Sequence, residues 1–332
     1  MNLYPYDGRP GIAADILAYF KRANNKFVPS REISESLNIN SQLVYENVAY
    51  LRDCGYQIEA GRNKGYKLVH SPDVVLPLEV AAGLSCRFFA CRIFSYETIG
   101  STNKTAHYFA KTGLPEGTLI IANTQSKGRG RLGRKWHSPA GKGLYFSLIL
   151  RPKLPPDKTP GLSLTAGLAI IRAIYTTLNL KTQMKWPNDI LYNRRKLAGI
   201  LIELAAELDR VEYIVVGIGI NVNHIKKDFP RPLHRTATSL KIITKKEVSR
   251  ISLLQNILVQ FEKLYGNFCR HGFKYIASEL NQHSAVLGKR VTLSLGKKKI
   301  TGKVIGFDDN GGLLIKNRSG LKSYTAGEIT LR

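Results

Sequence analysis

Apolar positions along this chain change period twice, and each change marks a change of architecture. From Ile12 to Phe20 they recur at helical spacing (Ile12, Ile16, Leu17, Phe20), and Pro29-Ser30 then offers a start for a second short helix, Arg31 to Leu37. After a turn at Asn38-Ile39-Asn40, Ser41 is placed to cap a third helix to about Asp53, with Val44, Val48 and Leu51 on one face. Beyond Gly55 the period falls to two. Gln57-Ile58-Glu59 and Gly65 to Val69 flank a tip of Gly61-Arg62-Asn63-Lys64, the pattern of a hairpin wing. Residues 1–72 therefore read as a winged helix-turn-helix, and Ser71-Pro72 through Pro77 as a linker.

From about Leu78 to Leu280 strands alternate with helices. Phe94 to Ile99 reads as a strand that delivers Gly100-Ser101-Thr102-Asn103 to the cap of a helix, Lys104 to Lys111. Strands follow at Thr118 to Ala122 and Gly143 to Leu150, and Leu162 to Leu178 reads as a long core helix with no ligand role. Lys185 to Ile190 leads into a strand ending at Leu191-Tyr192. A buried strand, Lys196 to Glu203, has Lys196 at its entrance, and the next, Val211 to Val216, is ended by Gly217-Ile218-Gly219-Ile220-Asn221-Val222-Asn223. The basic loop His224 to Arg235 is a candidate lid, and helices over Lys246 to Tyr265 and Phe273 to Leu280 close the region. Past Ser284 short strands (Arg290 to Leu293, Lys299 to Ile305, Gly312 to Lys316, Ser323-Tyr324) joined by Gly and Asp-Asn turns predict a small SH3-like barrel over 285–332.

Composition narrows the function classes. No apolar run approaches the roughly 18 residues of a membrane span, and Met1 to Pro10 lacks the order of a secretory signal, so a cytoplasmic protein is expected. Cys54, Cys86, Cys91 and Cys269 have neither metal-ligand nor disulfide spacing and read as reduced. The formal charge of +26 points to polyanions or acidic partners. Its distribution matters more, because residues 1–72 carry only +2 and residues 285–332 carry +7, which leaves +17 in the middle of the chain.

The middle also carries the candidate chemistry. Lys127-Gly128-Arg129-Gly130-Arg131-Leu132-Gly133-Arg134-Lys135-Trp136 interleaves glycines with guanidinium groups, giving planar, permanently charged donors on a backbone able to approach an anion closely. Asn123 to Ser126 leads straight into it. Gly100 to Asn103 is either an ordinary helix cap or a helix start that offers amides and hydroxyls to a polar ligand. Lys196 is either a snorkelling surface residue or a charge aimed into a site. Asn188-Asp189 after Pro187 reads from its residues as a turn. Gly217-x-Gly219 suggests close backbone approach, but without a third glycine it is poor support for a dinucleotide fold. In the winged helix, Ser41, Gln42, Tyr45 and Glu46 lie near the exposed start of the third helix for base readout, with Arg62 and Lys64 for phosphates. The other reading is a protein-protein or structural module.

Five blocks in this order, GSTN at 100–103, GRGRLGRKW at 128–136, KWPNDI at 185–190, KLAGILIE at 196–203 and GIGINVN at 217–223, resemble bacterial biotin protein ligases of the bifunctional type that also repress biotin operons. The resemblance covers nearly the whole chain. Ala326 departs from it, standing where the family often has glycine. It implies an α+β multidomain protein with an N-terminal winged helix-turn-helix (1–72), a central class II synthetase-like α/β catalytic domain (78–280) and a C-terminal SH3-like β-barrel (285–332). By resemblance Ser101, Thr102, Asn103, Gln125, Arg129, Gly130 and Arg131 contact biotin, and Lys196 touches its carboxylate and the α-phosphate together. Arg131, Trp136, Asn188, Asp189, Lys196 and Asn221 line the ATP side, with Asn188 and Asp189 also toward magnesium; Trp136 shields the adenylate or simply packs. The implied partners are the biotin carrier domain of a carboxylase, operator DNA and a second copy of the chain. The rivals are a lipoate ligase, which shares fold and acyl-adenylate chemistry, and a biotin-sensing repressor that has lost catalysis.

Overall fold

The computed structural model describes residues 11–72, 74–207 and 210–331. Met1 to Pro10, on which the reading about secretion rests, lie outside them, as does Asp73 of the expected linker. The N-terminal unit is α1 (Ile12–Ala23), α2 (Ser30–Leu37), α3 (Ser41–Asp53) and the hairpin β1 (Gln57–Gly61) and β2 (Gly65–His70). Ile16, Leu17 and Phe20 of α1 meet Ile33 of α2 and Val44, Val48 and Leu51 of α3 in one core. Asn40, not Ser41, caps α3, since Asn40 holds the extended conformation and its Oδ1 accepts the Leu43 N–H at 2.8 Å. Gly65 takes φ +86 where a Cβ would stand 2.0 Å from the Val28 carbonyl, which fixes the wing against the helices.

The expected linker is a docked element. The short helix α4 (Pro77–Ala81) sends Leu78, with Leu76 and Ala82 beside it, into the winged-helix core, while Val80 and Val75 enter the central core. Lys21 pairs with Glu79, and Gln255 Nε2 donates to the carbonyls of Glu79, Val80 and Ala82. The two prolines are compatible with this because Pro77 occupies the first helical turn, where no N–H is needed.

The central sheet contains β3 (Ile93–Ile99), β4 (Leu119–Gln125), β5 (Gly143–Leu150), β6 (Gln183–Lys185), β7 (Asp189–Tyr192), β8 (Arg195–Glu207) and β9 (Arg210–Asn221), in the order β3-β4-β5-β9-β8-β7-β6. Among the described strands of this sheet, β3 and β4 are the one parallel pair. The helix α5 (Thr102–Lys111) covers one face over Tyr96, Ile120, Ile149 and Val215. On the other face lies α6 (Thr159–Leu178), followed in the chain by α7 (Leu240–Thr244), α8 (Arg250–His271) and α9 (Lys274–Gln282).

Three expectations are corrected here. By length and composition α6 with the turn before it is apolar enough to cross a membrane, contrary to the reading of the apolar runs; most of it is buried against the sheet and α8. Helix α5 starts at Thr102, so Thr102 and Asn103 belong to its first turn. The glycines 217 and 219 do not end their strand, because β9 continues through them to Asn221, paired on both sides.

The C-terminal unit is β10 (Arg290–Leu295), β11 (Lys298–Phe307), β12 (Leu313–Asn317), β13 (Gly320–Tyr324) and β14 (Glu328–Leu331), an antiparallel sheet ordered β13-β12-β11-β10-β14. Val291, Leu293, Val304, Leu313, Ile315 and Ile329 fill its interior. It is tied to the central unit through Trp186, 1% exposed, whose Nε1 donates to the Gly311 carbonyl at 3.1 Å.

Candidate active site

A cavity of about 600 Å³ opens over the middle of the central sheet, walled by α5, the Gly128–Trp136 loop, the β6–β7 turn, the start of β8, the 229–237 segment and the edge strand β14. Ser101, Thr102, Asn103, Gln125, Arg129, Gly130, Arg131, Trp136, Asn188, Asp189, Lys196 and Asn221, all expected from sequence, line this one space.

One end is a neutral, cross-bonded floor. Gln125 Oε1, at the end of β4, accepts from the Thr102 N–H at 2.9 Å and its hydroxyl at 3.2 Å, while Gln125 Nε2 donates to Ser138 Oγ at 3.0 Å. Ser147, from the buried strand β5, has its hydroxyl 2.8 Å from Thr102 Oγ1 and 2.7 Å from Asn103 Oδ1. Ser101 precedes α5 without making a side-chain cap bond. Thr102 and Asn103 are each 4% exposed, so the floor is fixed by bonds made away from water. Two glycines create the space. A Cβ at Gly217 would stand 1.8 Å from Asn103 Oδ1, and one at Gly219 would stand 2.5 Å from the Trp136 indole. Trp136 is thus seated on the bare backbone of β9.

The other end is cationic. The glycine-arginine loop closes on itself as a short hairpin, with Trp136 N–H to the Gly128 carbonyl at 2.9 Å and Gly130 N–H to the Arg134 carbonyl at 2.7 Å. Its arginines diverge to different partners. Arg129 Nη1 lies 3.5 Å from Glu203 Oε1. Arg131 donates to Asn188 Oδ1 at 3.0 Å and to the Gly327 carbonyl at 3.2 Å, and Arg134 pairs with Glu328 at 2.6 Å. The loop therefore bridges the central sheet and the C-terminal unit. Burial pulls the Arg131 guanidinium below its ordinary range, Asp189 and Glu328 pull it back, and it keeps its charge. Lys196 Nζ stands 2.7 Å from Asp189 Oδ1 and 5.3 Å from the Trp136 ring centroid. Its main chain is clamped too, Lys196 N–H to the Thr236 carbonyl at 2.7 Å and Thr238 N–H to the Lys196 carbonyl at 2.9 Å.

The segment read as a candidate lid forms one wall of the cavity. Phe229 stacks on His224 with centroids 4.9 Å apart, and His137 Nε2 is 2.7 Å from the Asp228 carbonyl, which ties this segment to the end of the glycine-arginine loop. Asn221 Nδ2 donates to the Thr238 carbonyl at 3.0 Å beneath it. Asn188 is engaged through both side-chain atoms, Oδ1 with Arg131 and Nδ2 with the Ile200 carbonyl at 2.9 Å.

Sequence reading missed Ser147, Glu203, and the β14 wall with Glu328 and Thr330. Ser147 interrupts the apolar run Leu144 to Leu150, and a lone serine in a fully buried strand is the signal that was available. Away from this cavity, Ser41, Gln42, Tyr45, Arg62 and Lys64 are all exposed on α3 and the wing, with Gln42 bonded to Glu46 at 2.9 Å.

The comparisons with known proteins agree with this architecture. A profile of the biotin/lipoate A/B protein ligase family matches residues 95–221, one of the biotin protein ligase C-terminal domain matches 286–332, and one of an HTH domain matches 13–67. The chain is 38% identical over 323 residues to the bifunctional ligase/repressor BirA of Bacillus subtilis (strain 168), covering 97% of this chain and 99% of that protein. It is 30% identical over 315 residues to BirA of Escherichia coli (strain K12), covering 93% and 94%. The biotin protein ligase of Aquifex aeolicus in complex with biotin and ATP superposes with a TM-score of 0.63 at 34% identity, over 72% of this chain and 98% of that one. With its winged helix, ligase core and C-terminal unit in this order, the chain belongs to the bifunctional ligase/repressor family of biotin protein ligases.

Proposed function

We propose that this protein joins biotin to ATP as biotinoyl-5'-AMP, passes the biotinoyl group to a lysine of a biotin carrier domain, and represses transcription through its winged helix. The observation that carries the reading is the convergence of five separate sequence blocks on one cavity with a neutral floor and a cationic mouth. The floor suits a ring with both donor and acceptor edges, held by Ser101, Thr102, Asn103 and Gln125. The mouth suits the reaction. A biotin carboxylate oxygen attacks the α-phosphorus of ATP, the bond to the β-phosphate oxygen breaks, and pyrophosphate leaves. Two anions must be brought together, so Arg129, Arg131 and Lys196 neutralise them and stabilise the charge that develops. The acceptor lysine, as a free amine, then attacks the acyl carbon; an amide forms and AMP departs.

Among the described residues no three acidic, histidine or cysteine side chains gather as a metal site. Asp189 alone fits magnesium brought on the ATP phosphates, an ion satisfied by one or two carboxylates plus phosphate oxygens, and magnesium supplies further charge neutralisation there. Asn188, committed on both sides, places Arg131. Trp136 and Asn221 form the adenylate side, where closure of the Gly128–Trp136 loop keeps water from a hydrolysable anhydride. We place the protein in the cytoplasm and as a homodimer when the adenylate is bound, which sets two winged helices on a palindromic operator.

The test is pyrophosphate release by purified protein with ATP, magnesium and biotin, together with labelling of a carrier domain. Activity with lipoate and none with biotin overturns the ligase reading. In a gel shift against the host's biotin-gene upstream region, retardation is expected with biotin and ATP together, because a module carrying +2 has little nonspecific attraction of its own. There Arg62→Ala with Lys64→Ala weakens binding to all sequences, while Gln42→Ala or Tyr45→Ala changes sequence preference. No retardation at near-physiological salt removes the repressor half of the proposal.

A further inference from the structure

Glu203 closes the KLAGILIE block on β8, yet no ligand contact accounts for it. Its Oε2 accepts from Asn103 Nδ2 at 2.9 Å, and its Oε1 lies 3.5 Å from Arg129 Nη1. His107, one helical turn beyond Asn103 on α5, sets Nε2 3.6 Å from Oε2, and its Nδ1 is 3.4 Å from the Tyr213 hydroxyl on β9. One carboxylate thus joins α5 and the glycine-arginine loop, with His107 and Asn103 of α5 both facing its Oε2 and Arg129 facing its Oε1.

We propose that Glu203 is a positioning residue for biotin: it fixes the orientation of the Asn103 amide in the floor and holds Arg129 over it, with His107 as its brace. The inference rests on the reading of Asn103 and Arg129 as biotin contacts. An asparagine amide has two orientations that exchange donor for acceptor. An ionised carboxylate only accepts, so Nδ2 must face Glu203 and Oδ1 must face the Ser147 hydroxyl, 2.7 Å away, against the bare backbone of Gly217. The Glu203 carboxyl is pulled down to about 2, first by His107, then by Asn103 and Arg129, against the burial that pushes it up. At 3.6 Å the His107 contact is longer than a hydrogen bond, so the Asn103 bond and the Arg129 charge define the geometry. The hold on Arg129 is looser than that on Asn103. Its side chain is 54% exposed, and the guanidinium is free to turn to an arriving carboxylate.

A neutral glutamine at this position either donates or accepts, so the Asn103 amide is left with the longer bond from Nδ2 to the Leu201 carbonyl, 3.4 Å, as its fixed acceptor and is oriented less firmly. The full-length Glu203→Gln protein is expected to bind biotin about tenfold more weakly by titration calorimetry and to show the same rise in KM for biotin, with kcat and the KM for ATP within about twofold and an unchanged melting temperature. His107→Gln leaves the carboxylate in place and gives the same biotin-specific shift at about threefold. Adding Glu203→Gln to Asn103→Ala should weaken binding by clearly less than the sum of the two single effects, because both act on one amide and only the looser hold on Arg129 remains to be lost. Wild-type biotin affinity in Glu203→Gln, additive effects in the double variant, or a loss of kcat and melting temperature together overturns the inference. If Asn103→Ala itself binds biotin normally, it is the biotin-site reading that fails; if Asn103→Ala is weakened and Glu203→Gln is not, only the role of Glu203 fails.

Discussion

The floor and the mouth of the cavity are built on opposite physical terms. At the floor, Thr102, Asn103 and Ser147 are buried and bonded to one another from α5 and β5, with Gln125 of β4 joined to Thr102, so the geometry exists before any ligand arrives. At the mouth the charged groups are half-exposed and each leans on a partner from another element, Arg129 on Glu203, Lys196 on Asp189 and Arg134 on Glu328. Burying neutral groups costs little once they are hydrogen-bonded, whereas several cations crowded together hold their places only while anions offset them. The floor can therefore select a ligand. At the mouth an arriving anion has to compete with an internal carboxylate for each of these cations.

The largest test of this contrast lies at the mouth. Lys196→Ala or Arg131→Ala is expected to lower the rate of adenylate formation about a hundredfold in single-turnover assays, as loss of a charged transition-state contact should, while the KM for biotin moves much less. Activity left untouched, or lost in step with thermal stability, would make these cations structural.

A smaller effect of the opposite kind is expected at the floor. Gly217→Ala puts a Cβ 1.8 Å from Asn103 Oδ1, so the amide must shift and the KM for biotin should rise about tenfold with the KM for ATP little changed. Equal losses toward both substrates in steady-state kinetics would show that floor and mouth do not act separately.

The smallest effect is at the outer rim. Arg134 and Glu328 are an exposed pair worth at most about 1 kcal/mol, so Glu328→Gln should change the overall rate by less than about fivefold. A larger loss would mean that the C-terminal unit sets the loop's working position.

Much of this architecture was legible in the chain because the signals were local. The 3.6 and 2.0 periodicities in residues 12–69 mark the helices and wing, and the clustered Gly and Arg at 128–134 mark a loop no core can accept. Short elements were not legible: α7 and β14 are too brief for a period to show, and both were missed. The linker was misread because prolines signal a break in pattern, not whether the broken segment is buried, and Leu76 and Leu78 find their partners on α1 and its neighbours.

The sequence by itself determined which residue types line the cavity, since permanent cations, small glycines and clustered hydroxyls are chemically unlike their surroundings wherever they fall. Only the tertiary structure decided what each is held by. Glycines 217 and 219 look like a strand's end until β5 and β8 pair on either side, and then they become the seats of Asn103 and Trp136. Lys196 and Glu203 are seven positions apart on one strand, yet one pairs with Asp189 at the mouth and the other holds the floor. Such partnerships depend on strand register and helix packing across long stretches of chain, and no local pattern encodes them.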